Sequence, residues 1–266
     1  MHKLPLSIRN AALLLAPLML LPVGQARTGA PALADERTPY NWYFQKNEKH
    51  ERPGLDEGMK FIEDYDCLYL GQDEDEKVIY LTFDAGYENG NVKKILDALG
   101  KHGAHGAFFI LENLIRREPE LVKRMGDEGH LVCNHTAKHP DMSAITDEKL
   151  FEKQLTALEK TYREATGREL ARFYRPPQGR FSRQNLEYAE KLGYTTVFWS
   201  FAYADWDNSA QPDPERSIQR ILLHTHPGMV LLLHPTSRTN AAIMDRLLDA
   251  WEKEGYRFGS LEEIKK

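Results

Sequence analysis

The chain has little of several features that mark particular protein classes. Its 266 residues include only two cysteines, Cys67 and Cys133, which are too few for a disulfide framework. It has no basic stretch, and 35 Lys and Arg stand against 40 Asp and Glu, which argues against a nucleic-acid partner. Its longest apolar run, residues 11–23, is too short to span a bilayer comfortably. What is left is a chain long enough for one globular domain of about 200 residues.

The first residues resemble a secretory signal rather than part of a fold. Lys3 and Arg9 precede the apolar run, and small residues follow it at 24–26 (GQA) and 32–34 (ALA). We therefore expect a signal peptide over residues 1–26, with cleavage as late as residue 34. An uncleaved membrane anchor is the alternative. After cleavage no stable membrane span is expected, and the mature protein would act outside the cytoplasm.

Two further segments follow the signal. Residues 35–76 are polar with scattered aromatics, and we interpret them as an N-terminal extension packed on the main domain. Residues 77–262 repeat one unit, in which a strand, a loop, a helix and a glycine follow one another, and we interpret them as the catalytic domain. Four glycines directly after helical patterns are expected at the left-handed position that closes a helix: Gly103, Gly129, Gly193 and Gly255.

Apolar runs between the helical patterns predict an α/β fold. The expected strands are 78–83, 107–110, 131–133, 172–174, 195–199, 229–233 and a short one around Phe258. About seven parallel strands with intervening helices favour a distorted, incomplete (β/α) barrel over a sandwich.

Helical periodicity supports this architecture. Pro119 suits the first turn of a helix, and the aperiodic segment 202–217 suits a long loop on the catalytic face. Two apolar stripes are expected to face the core, one formed by Met244, Leu247, Leu248 and Trp251, the other by Leu150, Gln154, Leu158 and Tyr162.

Asp84 is the first candidate for chemistry. It lies in the segment 82–87 (TFDAGY), where a buried strand ends, and a buried acid needs a partner or a catalytic role. As a general base it could deprotonate a metal-bound water. The alternative is a cap for the helix near Asn91, which the intervening residues 86–90 disfavour.

A histidine pair follows a second strand. His135 and His139 stand at i and i+4 in the segment 134–139 (NHTAKH), a spacing that lets two imidazoles hold one metal ion. Two surface histidines are the alternative. Cys133 is close enough to be a ligand, but a small buried residue at a strand end is the favoured interpretation.

A second histidine pair imitates the first. His224 and His226 also have ligand-like spacing, but they end a helical pattern and precede the next strand. They are therefore expected on the face opposite the chemistry, where a histidine favours the C-terminal end of a helix.

Three more candidates each follow an apolar run. Arg175, fixed by two prolines, is expected to bind a carboxylate, either Asp84 or a substrate group, with two hydrogen bonds, although an exposed arginine is the alternative. Asp205 could orient a histidine, and Trp206 offers a sugar ring an apolar face. His234 ends the strongest buried strand and is placed as a general acid, with a core histidine as the alternative.

These five segments, in this order, resemble the polysaccharide deacetylase family (carbohydrate esterase family 4, NodB-like) over about residues 77–261. The resemblance implies that Asp84 is the catalytic base and that Arg175 tethers it. It further implies that His135 and His139 bind a divalent metal, for which zinc is expected.

The resemblance also extends to the acid and to the substrate. It implies that His234 protonates the leaving group and that Asp205 supports it. Four residues of the motifs are expected to contact substrate: Trp206, which would line the acetyl pocket, Leu232, Tyr87 and Pro177.

One residue differs from the usual family pattern and favours one branch of the family. The family usually has two consecutive aspartates, the second being the third metal ligand, but here that position is Ala85. The segments 82–90 and 69–71 are most similar to a sporulation-linked branch that deacetylates muramic acid during δ-lactam formation in spore peptidoglycan. The resemblance implies N-acetylmuramic acid residues, stripped of their peptide, in peptidoglycan glycan strands as substrate. A metal held by two histidines and waters is expected to be weakly bound. We expect a monomer in the cell envelope, with the forespore intermembrane space as one setting.

The sequence leaves two alternative functions open. One is a deacetylase of N-acetylglucosamine polymers, either chitin or peptidoglycan. The other is a wall-glycan-binding pseudoenzyme that has lost its metal site with Ala85. Against the second, the base, the acid and both supporting residues are all still present.

Overall fold

A computed structural model describes residues 36–46 and 48–264, so the expected signal peptide lies outside the described residues. Within these ranges, nine parallel strands form the main sheet, which curves into an open half-barrel covered by helices. The α/β half-barrel expected from the sequence is confirmed. No helix of the described ranges combines the length and hydropathy that crossing a bilayer requires.

The strands and helices alternate along the chain. The strands are β1 Tyr40–Asn41, β2 Cys67–Leu68, β3 Val78–Ala85, β4 Gly106–Ile110, β5 Leu131–Asn134, β6 Phe173–Tyr174, β7 Arg180–Phe181, β8 Thr195–Val197, β9 Phe201–Ala202, β10 Met229–Leu233 and β11 Arg257–Phe258. The helices are α1 Val92–Lys101, α2 Glu112–Arg117, α3 Pro119–Asp127, α4 Glu148–Thr166, α5 Arg183–Lys191, α6 Pro214–Leu223 and α7 Arg238–Lys253.

The order of strands places β3 near the centre of the sheet. From one edge to the other the order is β2, β8, β6, β5, β4, β3, β10 and β9, and β11 pairs with the start of β3. Strands β1 and β7 form a separate antiparallel pair. All ladders of the main sheet are parallel, so the carboxyl ends of its strands share one edge.

Alternation along β3 sorts its side chains into two layers. Side chains from Ile79 to Ala85 at odd positions join the large apolar cluster between sheet and helices. Val78 and Tyr80 join a second cluster inside the half-barrel, together with residues of β4, β5 and β10. Asp84 continues this inward row near the carboxyl end of the strand, beyond the apolar interior of the half-barrel.

Several local expectations are confirmed. The four closing glycines have positive φ angles of 59°, 82°, 74° and 83°, and Pro119 occupies the first turn of α3. The α7 stripe of Met244, Leu247, Leu248 and Trp251 is fully buried. Cys133 is a buried residue on the inner face of β5, as expected.

The predicted stripe on α4 was wrong by one position at its start. Leu150 is 57% exposed, and the buried residues are Phe151, Leu155, Leu158 and Tyr162. Both sets satisfy a period of 3.6, so periodicity alone could not separate them. The larger Phe151 ring decides between them, because it packs against the aromatic side chains of Tyr174 and Tyr188.

Two boundaries also differ from expectation. The sheet gains β2 and β9, each of two residues, which is too short to show a period. The predicted loop 202–217 is shorter, because α6 begins at Pro214 with Asp213 as its N-cap. The Asp213 side chain accepts a hydrogen bond from the Arg216 amide, a helix start that the Asp-Pro pair indicates.

Residues of the N-terminal segment are built into this fold. Strand β2 pairs with β8, and the Gly71 amide donates to the Gly228 carbonyl at 2.7 Å. Trp42 stacks on Phe198 with ring centroids 4.4 Å apart and donates from Nε1 to the Trp199 carbonyl at 2.8 Å. This segment therefore shares a core with β7 and β8 rather than lying loosely on the surface.

We expect Trp42→Ala to lower the free energy of unfolding by about 3 to 5 kcal/mol, because it empties a buried aromatic site. Urea denaturation followed by circular dichroism measures the change. Tyr43→Ala is the matched control, since Tyr43 is 58% exposed and its loss should change stability by no more than about 0.5 kcal/mol. Equal, small effects of both variants would show that the segment contributes little to stability.

Candidate active site

Polar side chains converge at the carboxyl edge of the main sheet. Asp84 is the last residue but one of β3, and His135, Arg175 and His234 directly follow β5, β6 and β10. Asp205 joins them from the loop after β9. Loops at this edge of a parallel barrel come together in space although their residues are far apart in sequence.

Arg175 is the buried centre of the site. Its guanidinium is fully buried and donates from Nη1 to Asp84 Oδ1 at 2.8 Å, from Nη2 to Thr82 Oγ1 at 2.8 Å and from Nε to the Val197 carbonyl at 3.0 Å. It also lies 4.1 Å from the Phe109 ring centroid. The expected two-bond grip on Asp84 was wrong, because the remaining donors are used by Thr82 and by backbone carbonyls.

The environment of Asp84 keeps its carboxyl group ionised. Burial raises the pKa of Asp84, but His135 in its protonated form, Arg175 and His234 place positive charge beside it and outweigh burial, so that the pKa falls below its ordinary value. Burial also lowers the pKa of His135 to about 4, which leaves that imidazole neutral at neutral pH. The permanent charge of Arg175 is therefore the partner that holds Asp84 in the form of a base.

The expected metal-binding histidines lie side by side. The rings of His135 and His139 are 5.0 Å apart and nearly perpendicular. His135 Nδ1 donates to the Arg175 carbonyl at 2.9 Å, and its Nε2 lies 3.5 Å from Asp84 Oδ2. Burial lowers the pKa of both imidazoles, and the neutral form is the one that binds metals.

These histidines fit a divalent cation as a pair. A backbone carbonyl fixes the tautomer of His135 and leaves Nε2 as an acceptor, which is the usual outer support of a histidine ligand. Ala85 is fully buried in the outer apolar cluster and adds no ligand. Within the described ranges, three side chains close enough together to share a cation, His102, Asp249 and Glu252, lie away from this site, where the end of α1 meets α7.

His234 and Asp205 form the second charged pair. His234 Nδ1 donates to Asp205 Oδ1 at 2.7 Å, and the His234 amide donates to Asp205 Oδ2 at 2.8 Å. Burial opposes the charge of His234, but the bond to Asp205 and its negative charge outweigh this and raise the pKa of His234 above 6.5. The imidazole is thus favoured in its protonated form, which suits a general acid.

The four expected substrate contacts differ in exposure. Trp206 is 60% exposed, and its ring centroid lies 6.3 Å from that of His234. Tyr87 is 43% exposed, and its hydroxyl is hydrogen-bonded to the Asn208 amide. Leu232 and Pro177 are buried beside the charged residues, on β10 and directly after Arg175 and Pro176. Their contact with substrate stays a prediction.

His224 and His226, the second histidine pair, lie away from the carboxyl ends of the strands. His224 is the C-cap of α6, as expected. His226 is buried before β10, where Nε2 is 2.9 Å from Ser200 Oγ. The alternative cap role of Asp84 is wrong, because Asn91 occupies the N-cap position of α1.

Comparison with known proteins identifies the family. A sequence model described as polysaccharide deacetylase matches residues 71–197. A peptidoglycan-N-acetylmuramic acid deacetylase of Bacillus subtilis is 39% identical over 88% of this chain and 89% of its own length. The chain belongs to the polysaccharide deacetylase family. The family resemblance inferred from the five segments is thereby confirmed.

A solved structure of this Bacillus subtilis relative and one further member of the polysaccharide deacetylase family extend the comparison. A solved structure of the Bacillus subtilis enzyme PdaA, a family 4 carbohydrate esterase, has a TM-score of 0.82 at 38% identity and covers 86% of this chain and 97% of that one. A peptidoglycan-N-acetylglucosamine deacetylase of Bacillus cereus is 33% identical over 71% of this chain and 88% of its own length. The chain is accordingly a carbohydrate esterase, a hydrolase, and deacetylases of this family are metalloenzymes.

Sequence reasoning missed two residues that hold the polysaccharide deacetylase site together. Thr82 accepts from Arg175 and donates from Oγ1 to the Leu231 carbonyl at 2.7 Å, which joins β3 to β10. Asn240 donates to Asp205 Oδ2 at 2.6 Å and to the His234 carbonyl at 3.0 Å. Ser237 is the N-cap of α7 and lies three residues before Asn240, so the sequence could place Asn240 in the first turn of that helix. It did not indicate which residues Asn240 contacts.

We expect Asp205→Asn to lower the pKa of His234, because the substitution removes the negative charge while the burial remains. NMR titration of the ¹³C-labelled imidazole measures this pKa. Asp207→Asn, in an exposed part of the same loop, should leave it unchanged. An unaltered pKa in Asp205→Asn would mean that Asp205 does not control the protonation of His234.

Proposed function

We propose that this polysaccharide deacetylase removes the N-acetyl group from N-acetylmuramic acid residues in peptidoglycan glycan strands. The observation that carries the proposal is the pairing of opposite charges at one edge of the sheet. Arg175 favours the ionised form of Asp84, and Asp205 favours the protonated form of His234, as a base and an acid acting together require.

The reaction is the hydrolysis of an acetamide. Asp84 accepts a proton from the attacking water through the carboxylate that Arg175 orients. His234 donates a proton from Nε2 to the leaving amine nitrogen, while Asp205 holds Nδ1. A divalent cation, for which we propose zinc, would be held by His135 and His139 and would supply Lewis acidity towards the acetyl carbonyl. Acetate and a free sugar amine are the products.

The sugar is proposed from the sequence around the base. The segment 82–90 is similar to the branch that acts on muramic acid, and the 39% identical relative is named for that activity. The freed amine can then close on the lactyl carboxyl group to give a δ-lactam. We propose Trp206, Tyr87, Leu232 and Pro177 as substrate contacts.

The proposed setting is outside the cytoplasm. The N-terminal pattern supports export, and peptidoglycan, the polymer on which the relatives act, lies in the cell wall. Sporulation is the setting that the δ-lactam branch suggests.

A second candidate function is removal of the acetyl group from N-acetylglucosamine in peptidoglycan or chitin. The 33% identical Bacillus cereus relative favours it. The two candidates share the charged pairs and differ in the sugar, because only muramic acid carries a lactyl carboxylate.

We expect acetate release from peptidoglycan stripped of its peptides, and release at least tenfold slower from chitooligosaccharide, because muramic acid is the proposed sugar. Enzymatic acetate determination measures both. The reverse preference would assign the enzyme to N-acetylglucosamine.

Asp84→Asn should abolish this release without unfolding the protein, because the amide cannot accept the water proton. General acid–base catalysis contributes about 100- to 10,000-fold in rate, so the loss should be of that order. Asp97→Asn, on the exposed surface of α1, is the control and should keep full activity. Full activity in Asp84→Asn would remove Asp84 as the base.

We expect a chelator to stop acetate release and added zinc to restore it, because two histidines hold a cation less firmly than three ligands do. Acetate release after dialysis against chelator, and then with graded zinc, measures both effects. His135→Ala should be inactive at every zinc concentration. Full activity of the chelated enzyme would show that the reaction needs no cation.

A further inference from the structure

The metal-binding histidines lie on a loop with an unusual backbone. We call residues 134–139 the histidine loop. Thr136 has φ 74° and His139 has φ 56°, so two residues that are not glycine adopt the left-handed conformation. Such residues cost on the order of 1 to 3 kcal/mol each and persist only where surrounding contacts enforce them. The histidine loop therefore needs an anchor.

Asn134 supplies the contacts inside the histidine loop. It is fully buried, and its Oδ1 accepts from the Thr136 amide at 2.9 Å. Thr136 Oγ1 in turn accepts from the His139 amide at 2.9 Å. The Thr136 hydroxyl thus joins the two left-handed residues, and the Asn134 carboxamide holds the first of them. The orientation of that carboxamide decides whether the Thr136 amide has an acceptor.

Contacts from outside the loop fix that orientation. Asn134 Nδ2 donates to the Leu155 carbonyl of α4 at 3.1 Å and to the Tyr194 hydroxyl at 3.0 Å. Tyr194 donates to Glu159 Oε1 at 2.6 Å, and Arg172 Nη1 is 2.7 Å from the same oxygen. A chain of hydrogen bonds therefore runs from the α4 surface to the loop that carries His135 and His139.

We propose that Asn134, Tyr194 and Glu159 are positioning residues for the metal-binding loop. The inference rests on the proposed role of His135 and His139 as ligands. With Ala85 at the usual place of a third ligand, the cation would depend on two imidazoles, so small errors in their placement are not corrected by another protein ligand. The three residues act through the loop, without touching substrate.

Loss of the Tyr194 hydroxyl has a definite consequence. One N–H of the buried Asn134 amide would lose its acceptor, and an unsatisfied buried donor is costly. Rotation of the amide relieves that cost, but it withdraws Oδ1 from the Thr136 amide. The loop then loses the contact that holds its first left-handed residue.

Tyr174 provides a matched control in the same aromatic cluster. Both tyrosines are 1% exposed and pack in the cluster with Phe151 and Tyr188. The Tyr174 hydroxyl has no hydrogen-bond partner among the described residues, whereas the Tyr194 hydroxyl has two. Substitution of either by Phe removes one buried oxygen, so the two variants differ in the hydrogen-bond chain alone.

The experiment compares Tyr194→Phe with Tyr174→Phe in the full chain. In Tyr194→Phe we expect the Thr136 and His139 amides to exchange hydrogen about tenfold faster, while the β4 amides exchange at the wild-type rate. We also expect the half-saturating zinc concentration for acetate release to rise about tenfold, with the rate at saturating zinc within about twofold of wild type. Tyr174→Phe should change neither quantity.

Glu159 gives a second test that does not alter the aromatic core. Glu159→Gln keeps an acceptor for the Tyr194 hydroxyl, so its hydrogen-exchange rates should equal those of wild type. In Glu159→Ala, the Thr136 and His139 amides should exchange hydrogen faster. If Tyr194→Phe and Tyr174→Phe behave alike in exchange, the inference is wrong. If wild type binds no zinc but Tyr194→Phe still accelerates exchange, the positioning role stands and the proposed metal site fails.

Discussion

The buried guanidinium of Arg175 positions the polar side chains at the carboxyl ends of the strands. Arg175 cannot lose its charge, so every donor that leaves water must find an acceptor, and removing one partner of such a buried pair costs about 3 to 5 kcal/mol. Its side chain joins Asp84 and Thr82 on β3, and its carbonyl holds His135. One residue thus sets the positions of Asp84, the proposed base, and of His135, a proposed metal ligand, together.

The site combines two ion pairs of opposite consequence. In the first, a permanent cation lowers the pKa of a carboxyl group, and in the second, a buried carboxylate raises the pKa of an imidazole. Asp84 and His234 are thereby separated in acidity although they share one cleft. This separation lets a single protein accept a proton and donate another within one turnover.

Sequence reasoning succeeded where the signal is local and failed where it is not. Neighbouring residues alone indicate where a glycine closes a helix and where an apolar strand ends. Asp84 and His234 were therefore predicted from the strands that they follow or end. Tyr194 and Asn134 are 60 residues apart, and their contact depends on the pairing of β5 and β8 with the strand between them, β6. The same limit applies to Arg175, whose expected second bond to Asp84 goes instead to acceptors on β3 and β8.

The exposed aromatic residues carry one more consequence. The Tyr87 hydroxyl is hydrogen-bonded to Asn208, on the loop that bears Trp206, so this loop links two solvent-exposed rings, of which Trp206 lies beside His234. Rings of this kind stack against the flat faces of sugars, including units next to the one that reacts. Substrate contact by both rings, as proposed, would spread recognition along the polymer, so that an isolated monosaccharide would bind more weakly than a longer glycan.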